Sequence, residues 1–156
     1  NRCRLSKHCL QLVCASNQLS AWDDSKATNF AASLAALEAL APSPIVWIGG
    51  GASKGGNIDN FVGRLAPYVQ QAFVYGRVAS RLEQALLDKR VACCRFSKFS
   101  SAVEAAVRFC QDQDSGKQAW QLLLSPGFSS LDQFDSYAER GKCYQSIVLS
   151  LMPIQN

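Results

Sequence analysis

Residues 45–57 read IVWIGGGASKGGN and indicate the fold class of the chain. Its first four residues, Ile45 to Ile48, are apolar without interruption, and glycines follow at once. A short apolar run of this kind is typical of a strand that is buried on both faces of a parallel sheet. The stretch therefore predicts an inner strand that ends in a glycine-rich loop at the sheet edge.

The rest of the chain continues as strands and helices in alternation. This pattern predicts a Rossmann-like α/β fold, with an open, mostly parallel sheet of about six strands and helices on both faces. A chain of 156 residues without a linker or internal repeat fits a single domain over residues 1–156. Helix 100–113 is predicted to be capped by Ser100 or Ser101, with Glu104 placed for a capping box. The predicted strands are 10–14, 19–22, 45–48, 72–75, 91–96 and 121–124, and the predicted helices are 29–41, 61–68, 78–88, 100–113 and 136–149.

Composition excludes several classes of protein. With 48% hydrophobic and 18% charged residues, the chain is expected to fold rather than to be disordered. No apolar run approaches the roughly 18 residues of a membrane-spanning helix. The net charge of +4 comes from scattered basic residues that are not interleaved with aromatic ones, which argues against a nucleic-acid surface.

The seven cysteines and the single histidine predict no metal or nucleophilic site. The cysteines form no C-x-x-C motif, so a zinc or redox site is unsupported. His8 is the only histidine, and its neighbour Cys9 cannot easily turn back onto it, which disfavours Cys–His catalysis. We expect reduced, mostly buried thiols in a cytosolic protein.

Three polar or glycine-rich loops follow predicted strands. They are DDSKATN (23–29, the first loop), GGGASKGGN (49–57, the second loop) and SPGFSSLDQF (125–134, the third loop). Ligands of open α/β sheets bind beyond the carboxyl ends of the strands, so the loops should converge. Two ammonium groups beside hydroxyls and helix N-terminal amides would form an anion site for a dicarboxylate or a phosphate. The converging residues are predicted to be Lys26, Thr28, Lys54, Ser129 and Ser130.

Each loop taken alone also has a purely structural explanation. Ser25, Thr28 or Asn29 could cap the following helix, and the glycines could serve a tight turn. The second loop matches neither G-x-G-x-x-G nor the P-loop pattern, since Lys54 is followed by glycine. Only the expected convergence of the loops favours a binding site over these explanations.

The loop sequences carry a resemblance to a known family. DDSKATN, IVWIGGGASKGG, LLLSPGFSSLDQF and the ERG of residues 139–141 resemble the C-terminal domain of the UDP-N-acetylmuramoyl-L-alanine:D-glutamate ligases, of the Mur ligase family. The likeness runs from His8 to the final helix. It implies a domain that binds D-glutamate and closes over ATP in peptidoglycan biosynthesis in the bacterial cytoplasm. It also implies a monomer, without nucleic-acid or membrane partners.

The resemblance further implies what this chain does not contain. The N-terminal UDP-binding and central ATPase domains of the family are absent here. UDP-N-acetylmuramoyl-L-alanine, ATP and Mg²⁺ would be bound mainly by those domains, with no cofactor bound by this chain alone. The isolated domain is therefore expected to be inactive.

Site residues are carried over from the family motifs one by one. Asp24 would bind the nucleotide ribose, and Lys26 would take the catalytic role by stabilising developing negative charge. The position of a family arginine that engages the nucleotide holds Cys9, which cannot carry charge in that way. D-glutamate would be held by Thr28, Lys54, Ser130 and the backbone at Leu131 and Tyr137.

Other departures from the family pattern leave alternatives open. Asn57 stands where aspartate is usual, Phe128 replaces a small cysteine, and Tyr137 stands where phenylalanine is common. One alternative is a binding or regulatory domain that has lost catalysis, which Cys9 and Phe128 would favour. Another is an unrelated Rossmann-like nucleotide-binding module, against which the missing G-x-G-x-x-G argues.

Overall fold

The computed structural model describes residues 6–113 and 118–152. Within these residues the chain forms one six-stranded sheet and five α-helices in nearly regular alternation. The strands are β1 (Gln11–Ala15), β2 (Leu19–Asp23), β3 (Ile45–Gly50), β4 (Val69–Tyr75), β5 (Ala92–Phe96) and β6 (Trp120–Gly127). The helices are α1 (Phe30–Leu40), α2 (Ile58–Leu65), α3 (Ala79–Asp88), α4 (Phe99–Asp112) and α5 (Tyr137–Leu151).

The strand order in the sheet is β1-β2-β6-β3-β4-β5. Only the edge strand β1 is antiparallel to its neighbour, and the other pairings are parallel. The predicted fold class is therefore confirmed. This order places β2, β6 and β3 side by side, so the loops that follow these three strands leave the same edge of the sheet.

Alternate side chains of β3 enter two separate cores. Trp47 packs on one face with α1, α2 and α3, whereas Ile48 packs on the other with α4 and α5. Both are fully buried, as is every residue of this strand. Helices that cover both faces of the sheet thus explain why residues 45–48 are apolar without interruption.

The starts of α2 and α4 depend on contacts that the sequence pattern did not predict. Helix α2 begins at Ile58, earlier than expected, because the Asn57 side chain caps it by accepting a hydrogen bond from the backbone N–H of Asn60 at 3.0 Å. Helix α4 begins at Phe99, and the predicted serine caps are wrong. Its first N–H instead donates to the Gln133 side chain at 2.9 Å, a partner distant in sequence.

The cysteine prediction holds in part. The free thiols among the described residues are Cys14, Cys93, Cys94, Cys110 and Cys143. Only Cys110 of these five is buried, and Cys94 is exposed, so the expectation of mostly buried thiols is wrong for this group. Cys9 is buried and disulfide-bonded, which also contradicts the expectation that all thiols are reduced.

Candidate functional site

The three loops meet at the carboxyl edge of the sheet, as predicted. The first and third loops are joined where the N–H of Gly127 donates to the carbonyl of Ala27 at 2.9 Å. The second and third are joined by a two-way backbone bridge between Ala52 and Ser129, at 3.0 and 3.1 Å. Gly51 permits this approach, since a Cβ there would lie 2.1 Å from the Ser129 carbonyl oxygen. The loops therefore form one continuous surface.

A cleft of about 180 Å³ opens between these loops. Thr28 and Lys54, predicted as substrate ligands from separate loops, both line it. Lys54 is the only charged residue among those that line the cleft, so the cleft favours an anionic group. The lining residues are Thr28, Asn29, Phe30, Lys54, Gly55, Gly56, Gly127 and Phe128.

An aromatic cluster forms the floor of the cleft. The rings of Phe30 and Phe61 are stacked with centroids 4.3 Å apart. Phe128 meets both rings edge-on, at 5.3 Å from Phe30 and 6.2 Å from Phe61. Phe128 is buried at 2% exposure. The cleft thus joins a cationic, hydroxyl-bearing rim to an apolar base.

Helix α1 is capped by Asn29, whose side chain accepts from the N–H of Ala32 at 2.9 Å. This decides which of the three possible first-loop caps is used. Thr28, which lies just before the cap, is therefore not the capping residue and lines the cleft. Ser25 does not cap the helix, because its hydroxyl donates to the Tyr137 carbonyl at 2.7 Å.

Four other predicted site residues do not line the cleft. The exposed Lys26 ammonium is 3.4 Å from the hydroxyl of Ser6. Ser130 is buried at 3% exposure, whereas Leu131 is exposed. The N–H of Leu131, expected as a substrate donor, donates to the Ser129 hydroxyl at 3.2 Å. Tyr137 begins α5 and is 37% exposed.

The Asp24 carboxylate is turned into the protein. One oxygen accepts from the N–H of Leu10 at 2.9 Å, and the other from the Ser125 hydroxyl at 2.6 Å. Burial raises the pKa of Asp24 to about 6, although these two hydrogen bonds oppose the shift. The nearby charge of Asp23 raises it further. In this arrangement Asp24 orders the first and third loops.

Arg140 is the main feature that the sequence analysis did not assign. Its guanidinium is fully buried and donates to the hydroxyl and carbonyl of Ser25 at 3.0 and 2.9 Å. It also donates to the carbonyl of Phe128 and to the hydroxyl of Tyr75, at 3.2 Å. Arg140 therefore ties the first loop to the third. The ERG motif contained the residue, but its partners are more than 100 positions away or on other elements.

A second buried polar group secures the chain that enters β1. His8 Nδ1 lies 2.5 Å from the Asp23 carboxylate, which also accepts from the Gln145 side chain at 2.7 Å. The imidazole packs against Gly141 of α5, where a Cβ would come within 2.2 Å of His8 Nδ1. The adjacent Cys9 is only 2% exposed. Its side chain is not presented to the cleft.

The described residues offer no metal centre. Within residues 6–113 and 118–152, no three His, Cys, Asp or Glu side chains cluster closely enough to hold an ion. Over the same ranges, every helix is too short or too polar to cross a membrane.

Comparison with known proteins agrees with the loop motifs. No family profile matches the chain. The chain is 32% identical over 144 residues to a UDP-N-acetylmuramoylalanine--D-glutamate ligase of Ralstonia nicotianae, which covers 92% of the chain and 28% of the relative. It is 34% identical over 145 residues to the enzyme of that name from Pseudomonas syringae pv. tomato, covering 91% and 31%. The chain thus spans less than a third of these relatives.

Solved structures show the same fold at low sequence identity. The chain superimposes on Mycobacterium tuberculosis folylpolyglutamate synthase, complexed with ADP and AMPPCP, with a TM-score of 0.63 and 14% identity. That match covers 96% of this chain and 33% of the other. MurF from Acinetobacter baumannii gives 0.61 at 13% identity, covering 93% and 31%. At these identities the likeness concerns the fold alone.

Proposed function

We propose that this chain, a homologue of the UDP-N-acetylmuramoylalanine--D-glutamate ligases over about 90% of its length, is the domain that binds D-glutamate in such a ligase. The observation that carries the proposal is the cleft in which Thr28 and Lys54 meet. An ammonium and a hydroxyl at one rim suit a carboxylate. The cleft is also small, which suits an amino acid better than a nucleotide.

The two carboxylates of D-glutamate would be held at different places. One lies at the rim, where the Lys54 ammonium and the Thr28 hydroxyl donate to it. The other is held by Ser130 and the N–H of Leu131 in the third loop and by the N–H of Tyr137 at the start of α5. The N–H of Leu131 now donates to Ser129, and this local bond of 3.2 Å is exchanged for a stronger one to a carboxylate.

In the proposed reaction, the amine of D-glutamate attacks the acyl phosphate of UDP-N-acetylmuramoyl-L-alanine. An amide bond forms and phosphate leaves. ATP with Mg²⁺ supplies the phosphoryl group that activates the carboxylate, and regions outside this chain hold most of both. The exposed Lys26 ammonium stabilises negative charge that develops during attack. Asp24 keeps the first loop in position through its hydrogen bonds with Leu10 and Ser125, beside the place where the nucleotide ribose would bind.

The proposal has consequences for the chain as a separate molecule. It binds D-glutamate weakly, because the other substrates contribute no contacts. It does not catalyse the reaction, because no P-loop is present in its sequence. The complete ligase would act as a monomer in the bacterial cytoplasm.

The test is an amide-resolved NMR titration of this chain with D-glutamate, with L-glutamate as the control ligand. We expect shifts at Thr28, Lys54 and Ser130 that are larger for the D isomer. Lys54→Ala should weaken binding roughly tenfold or more, because it removes a charged hydrogen-bond donor. Lys89→Ala is the matched control, since this exposed lysine follows α3 at the opposite end of the sheet. Equal shifts with both isomers, or equal losses in both variants, would contradict the proposal.

Loss of catalysis is the second candidate, favoured by the buried, uncharged Cys9 at the position of a family arginine. A domain of this kind would still bind D-glutamate. The protein that contains this chain would then release no ADP when given ATP, D-glutamate and UDP-N-acetylmuramoyl-L-alanine together. ADP release that requires both other substrates would exclude this candidate.

A further inference from the structure

The aromatic floor limits how far a ligand can enter the cleft. The cleft is small, at about 180 Å³. The Lys54 ammonium at the rim fixes the anionic end of a ligand. The rest of the ligand must occupy the space between the rim of the cleft and the ring of Phe128.

Phe128 cannot withdraw from the cleft. Its ring is backed by Phe61, which in turn packs edge-on against Trp47 at 6.1 Å. Its carbonyl is held by both terminal nitrogens of Arg140 at 3.2 Å. At the preceding residue, a Cβ on Gly127 would already lie 3.1 Å from the Phe61 ring. Ring and backbone are therefore both fixed, and the floor is rigid.

We propose that Phe128 is a specificity-determining residue that sets the length of the amino diacid the cleft accepts. The inference rests on the proposed function. Its ring packs against the methylene groups of the ligand while Lys54 holds a carboxylate. With one carboxylate at Lys54 and the other at the third loop, an amino diacid of the length of glutamate spans the two anchors, whereas a longer one has to bend toward the fixed Phe128 ring.

The experiment compares D-glutamate with D-2-aminoadipate, which is longer by one methylene group, as ligands of this chain. The unaltered chain should prefer D-glutamate by roughly tenfold or more, the usual cost of one excess methylene in an apolar pocket. Phe128→Leu should reduce this preference severalfold by deepening the cleft. Phe109→Leu is the matched control, because Phe109 packs against Phe73 and Trp120 in the other core.

A second measurement does not depend on the variant folding. In the unaltered chain, intermolecular NOEs should join the methylene protons of bound D-glutamate to the Phe128 ring protons. Binding at the cleft without these NOEs would overturn the inference, as would an unchanged preference in a folded Phe128→Leu chain, and both would leave the proposed function intact. No D-glutamate binding at the three loops would overturn both.

Discussion

Asp24 is buried and its pKa is raised, and this predicts how the stability of the folded chain depends on pH. Its pKa is about 6, compared with 3.8 for an ordinary aspartate. Between these values the folded chain holds more protons than the unfolded chain, so the stability contributed at this site falls as the pH rises. This loss of stability is complete somewhat above pH 6. It amounts to about 3 kcal/mol, because the two pKa values differ by about two units and each unit corresponds to about 1.36 kcal/mol.

Asp24→Asn removes the charge while keeping the shape. The asparagine oxygen can still accept from the N–H of Leu10, and its amide can donate to the Ser125 hydroxyl. That hydroxyl can then donate to Ser33, which lies 3.2 Å away. We therefore expect the variant to gain stability relative to the unaltered chain as the pH rises from about 4 to about 7, by up to about 3 kcal/mol.

The assay is urea denaturation followed by tryptophan fluorescence over this pH range. Only the difference between the two chains is used, since other groups titrate in both. Asp88→Asn, at an exposed position of α3, is the matched control for the loss of one aspartate. A constant difference for Asp24→Asn would show that burial does not disfavour the charge. If the variant is less stable than the unaltered chain at pH 7, the hydrogen bonds from Leu10 and Ser125 stabilise the carboxylate by more than desolvation destabilises it.

Three further substitutions test the contacts that build the site, each by the free energy of unfolding in urea. Arg140→Met should cost about 3 kcal/mol or more, because it leaves buried carbonyls of the first and third loops unpaired; a neutral result would refute its bridging role. Asn57→Ala should cost about 1 kcal/mol through the lost cap of α2, whereas Asn57→Asp should be nearly neutral; equal losses would exclude a capping role. Gly141→Ala should destabilise the chain by roughly 1–3 kcal/mol, because the added Cβ would clash with His8. Gly63→Ala is the control, because the nearest atom to its added Cβ is 3.7 Å away, and it should stabilise the chain by about 0.5–1 kcal/mol.

The sheet and the meeting of the loops could be predicted because both follow from local pattern. An apolar run such as 45–48 needs cover on both faces, and parallel strands place their carboxyl ends at one edge. Thr28 and Lys54 could be predicted to share a cleft for the same reason. Their side chains lie close to strand ends, where backbone topology alone fixes the position.

Side-chain direction and distant partners could not be predicted in this way. Lys26 and Ser130 also follow strands, yet Lys26 points toward Ser6 and Ser130 is buried. The partner of the first N–H of α4 was not predicted, because Gln133 lies 34 residues away. The role of Arg140 depends on Ser25, 115 residues away. A lone sequence holds no local signal for pairs at such distances.

These distant contacts bear on where selectivity for the amino acid resides. Arg140 joins the first loop to the third, and the bridge between Ala52 and Ser129 joins the third to the second. The walls of the cleft are therefore positioned before any ligand arrives, and little ordering is left to oppose binding. Neither link involves residues outside this chain. Under the proposed function, the preference between amino diacids would belong to this domain and should be measurable here even though the affinity is weak.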